Sequence, residues 1–189
     1  MLPPNARLLV QVGAGNGELA RDYRALYPAS STLVVEADPA RAQQAREYAE
    51  RVYVADLDSA GDAFYKQLEW ADGWYFDATL EQLADPLRVL QQVRKVIQFD
   101  ACIVARVANR NYWDAPATPP RHPWGANDVL SVFQQANFTV ASGVVLNPAP
   151  LPPAVESLLR QQAAQAGVAP EVLLDSAQPS HYLIKAVPA

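Results

Sequence analysis

Residues 8–20 read LLVQVGAGNGELA. A short, mostly apolar run closed by glycine is the pattern of a buried strand. Here it passes through Gly13, Gly15 and Gly17 into helix-forming residues. Three alternating glycines strip side chains from the bend, which lets backbone approach a bound molecule and turn sharply. In open α/β sheets this strand-to-helix handover is where ligands bind.

The same alternation continues outward from that bend. Strands are expected at 31–37 (STLVVEA), 51–55, 73–78 and 101–108. Helices are expected at 17–27, with Leu19, Tyr23 and Leu26 on one face, and at 86–97, with Leu87, Leu90, Val93 and Ile97 on one stripe. Asp38-Pro39 opens a helix by capping, and residues 63–70 form a short one. Strands and helices at this spacing imply right-handed βαβ units and a parallel sheet covered on both faces. A long proline-rich loop, NYWDAPATPPRHPWG (111–125), interrupts the pattern, and long loops in compact domains are commonly functional. A helix at 126–138, a strand at 138–146, a helix at 153–167 and a closing strand at 181–187 complete the chain.

Composition narrows the partners. The 189 residues carry a formal net charge of -5, against the basic face that a nucleic-acid backbone or anionic membrane demands. No apolar stretch approaches the roughly 20 residues of a membrane helix, and MLPPNAR lacks a signal-peptide pattern. The lone Cys102 lies in an apolar run, as a buried thiol in a reducing compartment would. A cytoplasmic protein with no metal site, no nucleic-acid partner and no membrane insertion is expected.

The glycine spacing bears on the ligand. A dinucleotide fingerprint requires a small residue where this chain has Glu18, and a carboxylate beside a pyrophosphate is repulsive. S-adenosylmethionine has no phosphate, and its sulfonium is a cation. Glu36 ends the second strand about 20 residues after the glycines, where an acid can accept from both ribose hydroxyls. A solvated strand end is its plainer reading. Asp56, after the third strand, could accept from an adenine amino group beside an apolar Leu57. Capping the next helix is a close alternative for it.

LLVQVGAGNG, VVEADP, VADLD, WADGWYFDATLEQLADPLRVL and ACIVARVANRNYW, in this order, resemble the class I S-adenosylmethionine-dependent methyltransferases over nearly the whole chain. The resemblance is strongest to the bacterial subgroup associated with surface-glycan and polysaccharide synthesis, which LSVFQQANFTV and SHYLIKAV also resemble. It implies one α/β domain over 1–189, Rossmann-like and doubly wound. The sheet would have about seven strands, mostly parallel with the last antiparallel, and helices on both faces. It implies that Gly13, Ala14, Gly15 and Gly17 line the methionine and ribose side, that Glu36 holds the ribose, and that Asp56 and Leu57 hold the adenine. Asp77 would lie near the methionine end.

The chain departs from that family in three places. Gln11 stands where an acid is usual, Leu80-Glu81-Gln82 replaces a Leu-Glu-His triplet, and only MLPPNAR precedes the first strand. For proton transfer the sequence offers two histidines. His181 opens the closing strand and reads as structural. His122, in the long loop beside Tyr112, Trp113 and Trp124, is the candidate base, with Asp114 second and an exposed loop residue the alternative for each. The leading expectation is methyl transfer to an oxygen, less readily a nitrogen, of a glycan-related or other small acceptor. The alternative is a catalytically silent domain that binds cofactor or a partner protein of glycan assembly. A nicotinamide oxidoreductase is disfavoured by Glu18.

Overall fold

The computed structural model describes residues 1–189. β1 (Leu8–Val12) leads to α1 (Glu18–Leu26), β2 (Ser31–Glu36), α2 (Pro39–Ala45), β3 (Arg51–Val54), α3 (Asp62–Lys66) and β4 (Gly73–Asp77). After a 3-10 turn at Leu80–Gln82 come α4 (Pro86–Val96) and β5 (Cys102–Ala108). Then follow α5 (Ala126–Gln135), β6 (Phe138–Leu146), α6 (Pro153–Ala166), α7 (Pro170–Ala177) and β7 (His181–Pro188).

The seven strands form one sheet in the order β3-β2-β1-β4-β5-β7-β6. β1 to β5 pair in parallel, and β7 runs antiparallel to both β5 and β6. The expected fold class is therefore found. The chain winds outward from β1 to β3 and then returns to lay β4 on the other side of β1. The order reverses between β1 and β4, and in such sheets the crevice beyond the carboxyl ends of those strands takes the ligand.

Side chains alternate across the sheet and bury both faces. One core joins Val10, Val12, Leu33, Val35 and Phe76 to Val89, Leu90 and Val93 of α4 and to Val129 and Phe133 of α5. On the other face Val34 packs with Ala20 of α1 and Ala45 of α2, and Leu9 packs with Tyr23. The α1 face differs from the expected one. It buries Ala20 and Tyr23 and leaves Leu26 73% exposed. The Tyr23 hydroxyl receives the Ala6 amide at 3.0 Å and donates to the Pro3 carbonyl, which turns that flank of the helix toward the N-terminal segment.

Capping follows the sequence. Asp38 accepts from the Ala40 and Arg41 amides at 2.8 and 2.9 Å, and Asp85 accepts from the Arg88 amide at 2.9 Å. α7 and the 3-10 turn carry no expectation from the sequence, because both are too short for an apolar period to show. α6 is helical as its pattern predicts, yet it buries only Ala163 and meets α7 instead of the sheet. Cys102 is buried, and burial pushes its thiol pKa up. No helix is long and apolar enough to cross a membrane.

Candidate functional site

The glycine bend is held from four sides. The Gly13 amide donates to the Val35 carbonyl at 2.8 Å, tying the bend to β2. Gln11 Nε2 donates to the carbonyls of Gly13 and Ala14, each at 2.9 Å. The Tyr48 hydroxyl also donates to the Ala14 carbonyl. The Ala14 amide donates to Glu36 Oε2 at 2.9 Å. Gly13 and Gly17 cannot be replaced without movement. Gly13 holds φ +86, and a Cβ there would stand 2.5 Å from Thr79 Cγ2. Gly17 holds φ +75, and a Cβ there would overlap the Tyr48 ring. At these two positions the bend carries no side chain because its neighbours already fill that space.

Two cavities flank it. The smaller, about 210 Å³, lies over the ends of β1, β2 and β3. Gly13, Glu36, Asp56 and Leu57 line it, together with Arg41 and Leu83. Glu36 is 3% exposed, and it points at the bend. Its other oxygen, Oε1, accepts from the Asp38 amide and from Arg41 Nη2, each at 2.9 Å. Asp56 sits at the rim with both carboxylate oxygens engaged in its own turn. Oδ1 accepts from the Asp58 amide at 3.0 Å and Oδ2 from the Ser59 hydroxyl at 3.1 Å. Leu57 is buried in the main core and closes the cavity floor.

The larger cavity, about 620 Å³, lies on the α1 side of the bend, between β1, β4 and β5. Gly15, Glu18, Asp22, Tyr75, Asp77 and Arg106 line it, with Gln11 at its base. Asp77 pairs with Arg106. The Tyr75 phenol beside them is pushed up to about 12, first by burial and then by the Asp77 charge. Gln11 is 3% exposed and its Oε1 has no partner. Both amide hydrogens are spent on the bend, so the glutamine offers a bare acceptor and no donor. Ala78, between Asp77 and Thr79, holds φ +51, a conformation an alanine adopts only when its surroundings impose it. It turns Thr79 back so that the Thr79 hydroxyl donates to the Val12 carbonyl at 3.1 Å.

The structure thus brings Gly13, Ala14, Gly15, Gly17, Glu36, Asp56, Leu57 and Asp77 to the two sides of one bend. It does not bring the candidate bases there. His122 Nε2 donates to the Leu83 carbonyl at 3.0 Å, and the ring stacks on Trp124 at 5.7 Å between centroids. The His122 amide donates to the Glu81 carbonyl at 2.9 Å. The residue lines a separate groove between α4 and α5, where it clamps the long loop to the 3-10 turn. Asp114 is exposed and lines neither cavity at the bend. The Tyr112 and Trp113 rings meet at a tilt, 5.9 Å between centroids, and the Trp113 amide donates to the Ala177 carbonyl at 3.0 Å, which anchors the loop on α7. His181 stays beside Ser180, its pKa lowered by burial and by Arg106.

Arg41 and Arg106 carry no expectation from the sequence. Arg106 had a legible signal, a cation near the carboxyl end of the otherwise apolar strand ACIVARVA. Arg41 had none, since a surface arginine in a first helical turn is ordinary. No group of three or more histidine, cysteine or acidic side chains could hold a metal ion.

No protein-family model and no curated protein sequence matches the chain. Solved structures do. An S-adenosylmethionine-dependent methyltransferase from Mesorhizobium loti superposes with a TM-score of 0.68 at 18% identity, over 99% of this chain and 94% of that one. The [4+2]-cyclase SpnF superposes at 0.65 and 14% identity, over 97% and 75%. The O-methyltransferase NcsB1 of neocarzinostatin biosynthesis, in complex with S-adenosyl-L-homocysteine and 1,4-dihydroxy-2-naphthoic acid, superposes at 0.61 and 13% identity. It is covered over 49% of its length by 97% of this chain. The chain has the Rossmann-like fold of the methyltransferases. A cyclase among its neighbours shows that this fold carries more than one activity.

Proposed function

We propose that the chain binds S-adenosylmethionine across the glycine bend and transfers its methyl group to an oxygen, or less readily a nitrogen, of a small acceptor. The observation that carries this reading is the contact between Glu36 and the Ala14 amide. It sets a buried carboxylate against a glycine-rich bend, with one cavity on each side.

The residues fit the cofactor's parts. Glu36 would take a ribose hydroxyl, and Leu57 and Leu83 would sandwich an adenine whose amino group reaches Asp56. On the other side the bare Gln11 Oε1 calls for a donor, which an ammonium supplies, and Arg106 offers a partner for a carboxylate. That pairing suits an amino acid end. Glu18 and Asp22 at the cavity wall favour a cationic ligand over a phosphate.

The cofactor supplies a methyl group already activated by the positive sulfur. The chain has to hold the acceptor in line, exclude water and take a proton from a hydroxyl acceptor. Glu18, Asp22 and Asp77 are the carboxylates on the larger cavity, and proton removal would fall to one of them. The sequence resemblance points to sugar hydroxyls as the first acceptors to test. A second reading, a cofactor-binding module without turnover, is favoured by the commitment of His122 Nε2 to Leu83 and by the absence of a histidine from both cavities.

Calorimetric titration with S-adenosyl-L-homocysteine tests the binding. Micromolar affinity, lost in Glu36→Ala, is expected. No heat at millimolar ligand would refute the assignment. Methyl transfer from labelled cofactor to a panel of sugars and phenols then separates enzyme from module.

A further inference from the structure

We infer that Arg41 is a built-in competitor for the nucleoside, a cation seated on the carboxylate oxygen that a ribose needs. The inference rests on the nucleoside site proposed above, and it concerns how tightly and under what conditions that site fills.

The argument is a count of acceptor positions. A carboxylate has two oxygens and about four lone-pair sites. On Glu36 the Ala14 amide, the Asp38 amide and Arg41 Nη2 already take three. A ribose diol brings two hydroxyl donors, so both fit only if one donor leaves. The two amides cannot leave, because they belong to the bend and to the N-cap residue of α2. The Arg41 guanidinium can. Its side chain is 65% exposed, against 2% for the Glu36 side chain, and it lies on the wall of the smaller cavity. The pair therefore joins one fixed, buried partner to one that can swing into solvent. While it holds, it neutralises a buried charge and occupies the diol position. When it opens, Glu36 is presented to the sugar and the arginine moves to water.

Two consequences separate this role from simple lining of the cavity. Binding of an uncharged nucleoside should become tighter as salt rises, because salt screens the half-exposed ion pair and acts little on hydrogen bonds from an uncharged sugar. Removing the arginine should also tighten binding, although it deletes a residue of the site. The size of both effects is set by an ion pair with one exposed partner, about fivefold in affinity.

The test is calorimetric titration of adenosine and of S-adenosyl-L-homocysteine into wild type, Arg41→Met and Arg41→Lys. Each is measured at low salt and at about 0.5 M. Wild type and Arg41→Lys should bind adenosine more tightly at high salt. Arg41→Met should bind about fivefold more tightly than wild type at low salt and show no salt dependence. Equal or weaker binding by Arg41→Met, with wild-type binding intact, overturns the competitor and leaves the nucleoside site standing. No binding of either ligand by any of the three at millimolar concentration overturns both. Should Arg41→Met fail to fold, the wild-type salt series still decides, since an affinity that falls or stays level with salt is incompatible with a competing ion pair.

Discussion

Glu36 Oε2 receives the Ala14 amide at 2.9 Å, so the end of β2 and the bend after β1 are joined through one buried carboxylate. Replacing Glu36 with glutamine keeps the shape but can set an amide donor against the Ala14 amide or against Asp38 and Arg41. Leaving a buried donor unsatisfied costs about 1–3 kcal/mol. Glu36→Gln should lose that much stability in urea unfolding, and its adenosine affinity should fall at least about tenfold in calorimetry.

The bend tolerates no side chain at Gly17. Gly17→Ala would force a Cβ into the Tyr48 ring at φ +75. Strain of that kind costs about 1–3 kcal/mol before the clash is counted. The variant should melt at least about 3 °C below wild type, and a wild-type melting temperature would show that the bend relaxes freely.

Arg106 distinguishes the two cavities. It lines only the larger cavity, paired with Asp77. Arg106→Met should therefore weaken S-adenosyl-L-homocysteine by about tenfold or more while leaving adenosine unchanged. Equal losses for both ligands would mean that the variant damages the bend and not the amino acid end.

Glu81 makes stability depend on pH in an unusual direction. It is 1% exposed, its Oε1 accepts from the Ala108 amide at 3.0 Å, and its Oε2 has no partner. Burial raises its pKa above the ordinary 4.5, ahead of the lowering by the Ala108 amide. Between the unfolded and the folded pKa, the folded state holds a proton that the unfolded state releases. The contribution is fully present below the unfolded pKa and is lost as pH rises through the folded one. Glu81→Gln keeps the acceptor for Ala108 and carries no charge. It should melt about 2–4 °C above wild type at neutral pH, and the gap should close as pH falls toward 4.5.

His122 should matter for the loop and not for the cofactor. His122→Ala loses the bond to the Leu83 carbonyl and the stack on Trp124, at a cost of about 1 kcal/mol. Its S-adenosyl-L-homocysteine affinity should match wild type. A tenfold loss would mean that the 111–125 loop reaches the bend in the bound state.

Local pattern was enough for the strands and helices of the first half. β1, β2, β4 and β5 are apolar runs with clear ends, α2 is announced by Asp38-Pro39, and α4 by its stripe of Leu87, Leu90, Val93 and Ile97. The glycines of the bend and Glu36 were legible for a related reason, since each lies at or within a few residues of a strand end. Arg41, the bare Gln11 Oε1 and the position of His122 were not. His122 depends on a partner 39 residues away, and Arg41 and Gln11 depend on how their side chains fold back onto neighbours two to five residues off, which residue type alone does not determine. His122 shows the point most plainly, because a histidine in a proline-rich loop after β5 fits a base as well as a clamp until Leu83 is seen beside it.

The sequence by itself determined the βαβ alternation, the glycine-rich bend at Gly13–Gly17 and the carboxylate ending β2, because periodicity, capping and steric freedom act over a few neighbouring residues. Only the tertiary structure decided that this carboxylate already carries Arg41, that Asp77 is matched by Arg106, and that both histidines stand away from the bend. These are pairings across strands and loops, and a buried charge takes whatever partner packing sets within reach.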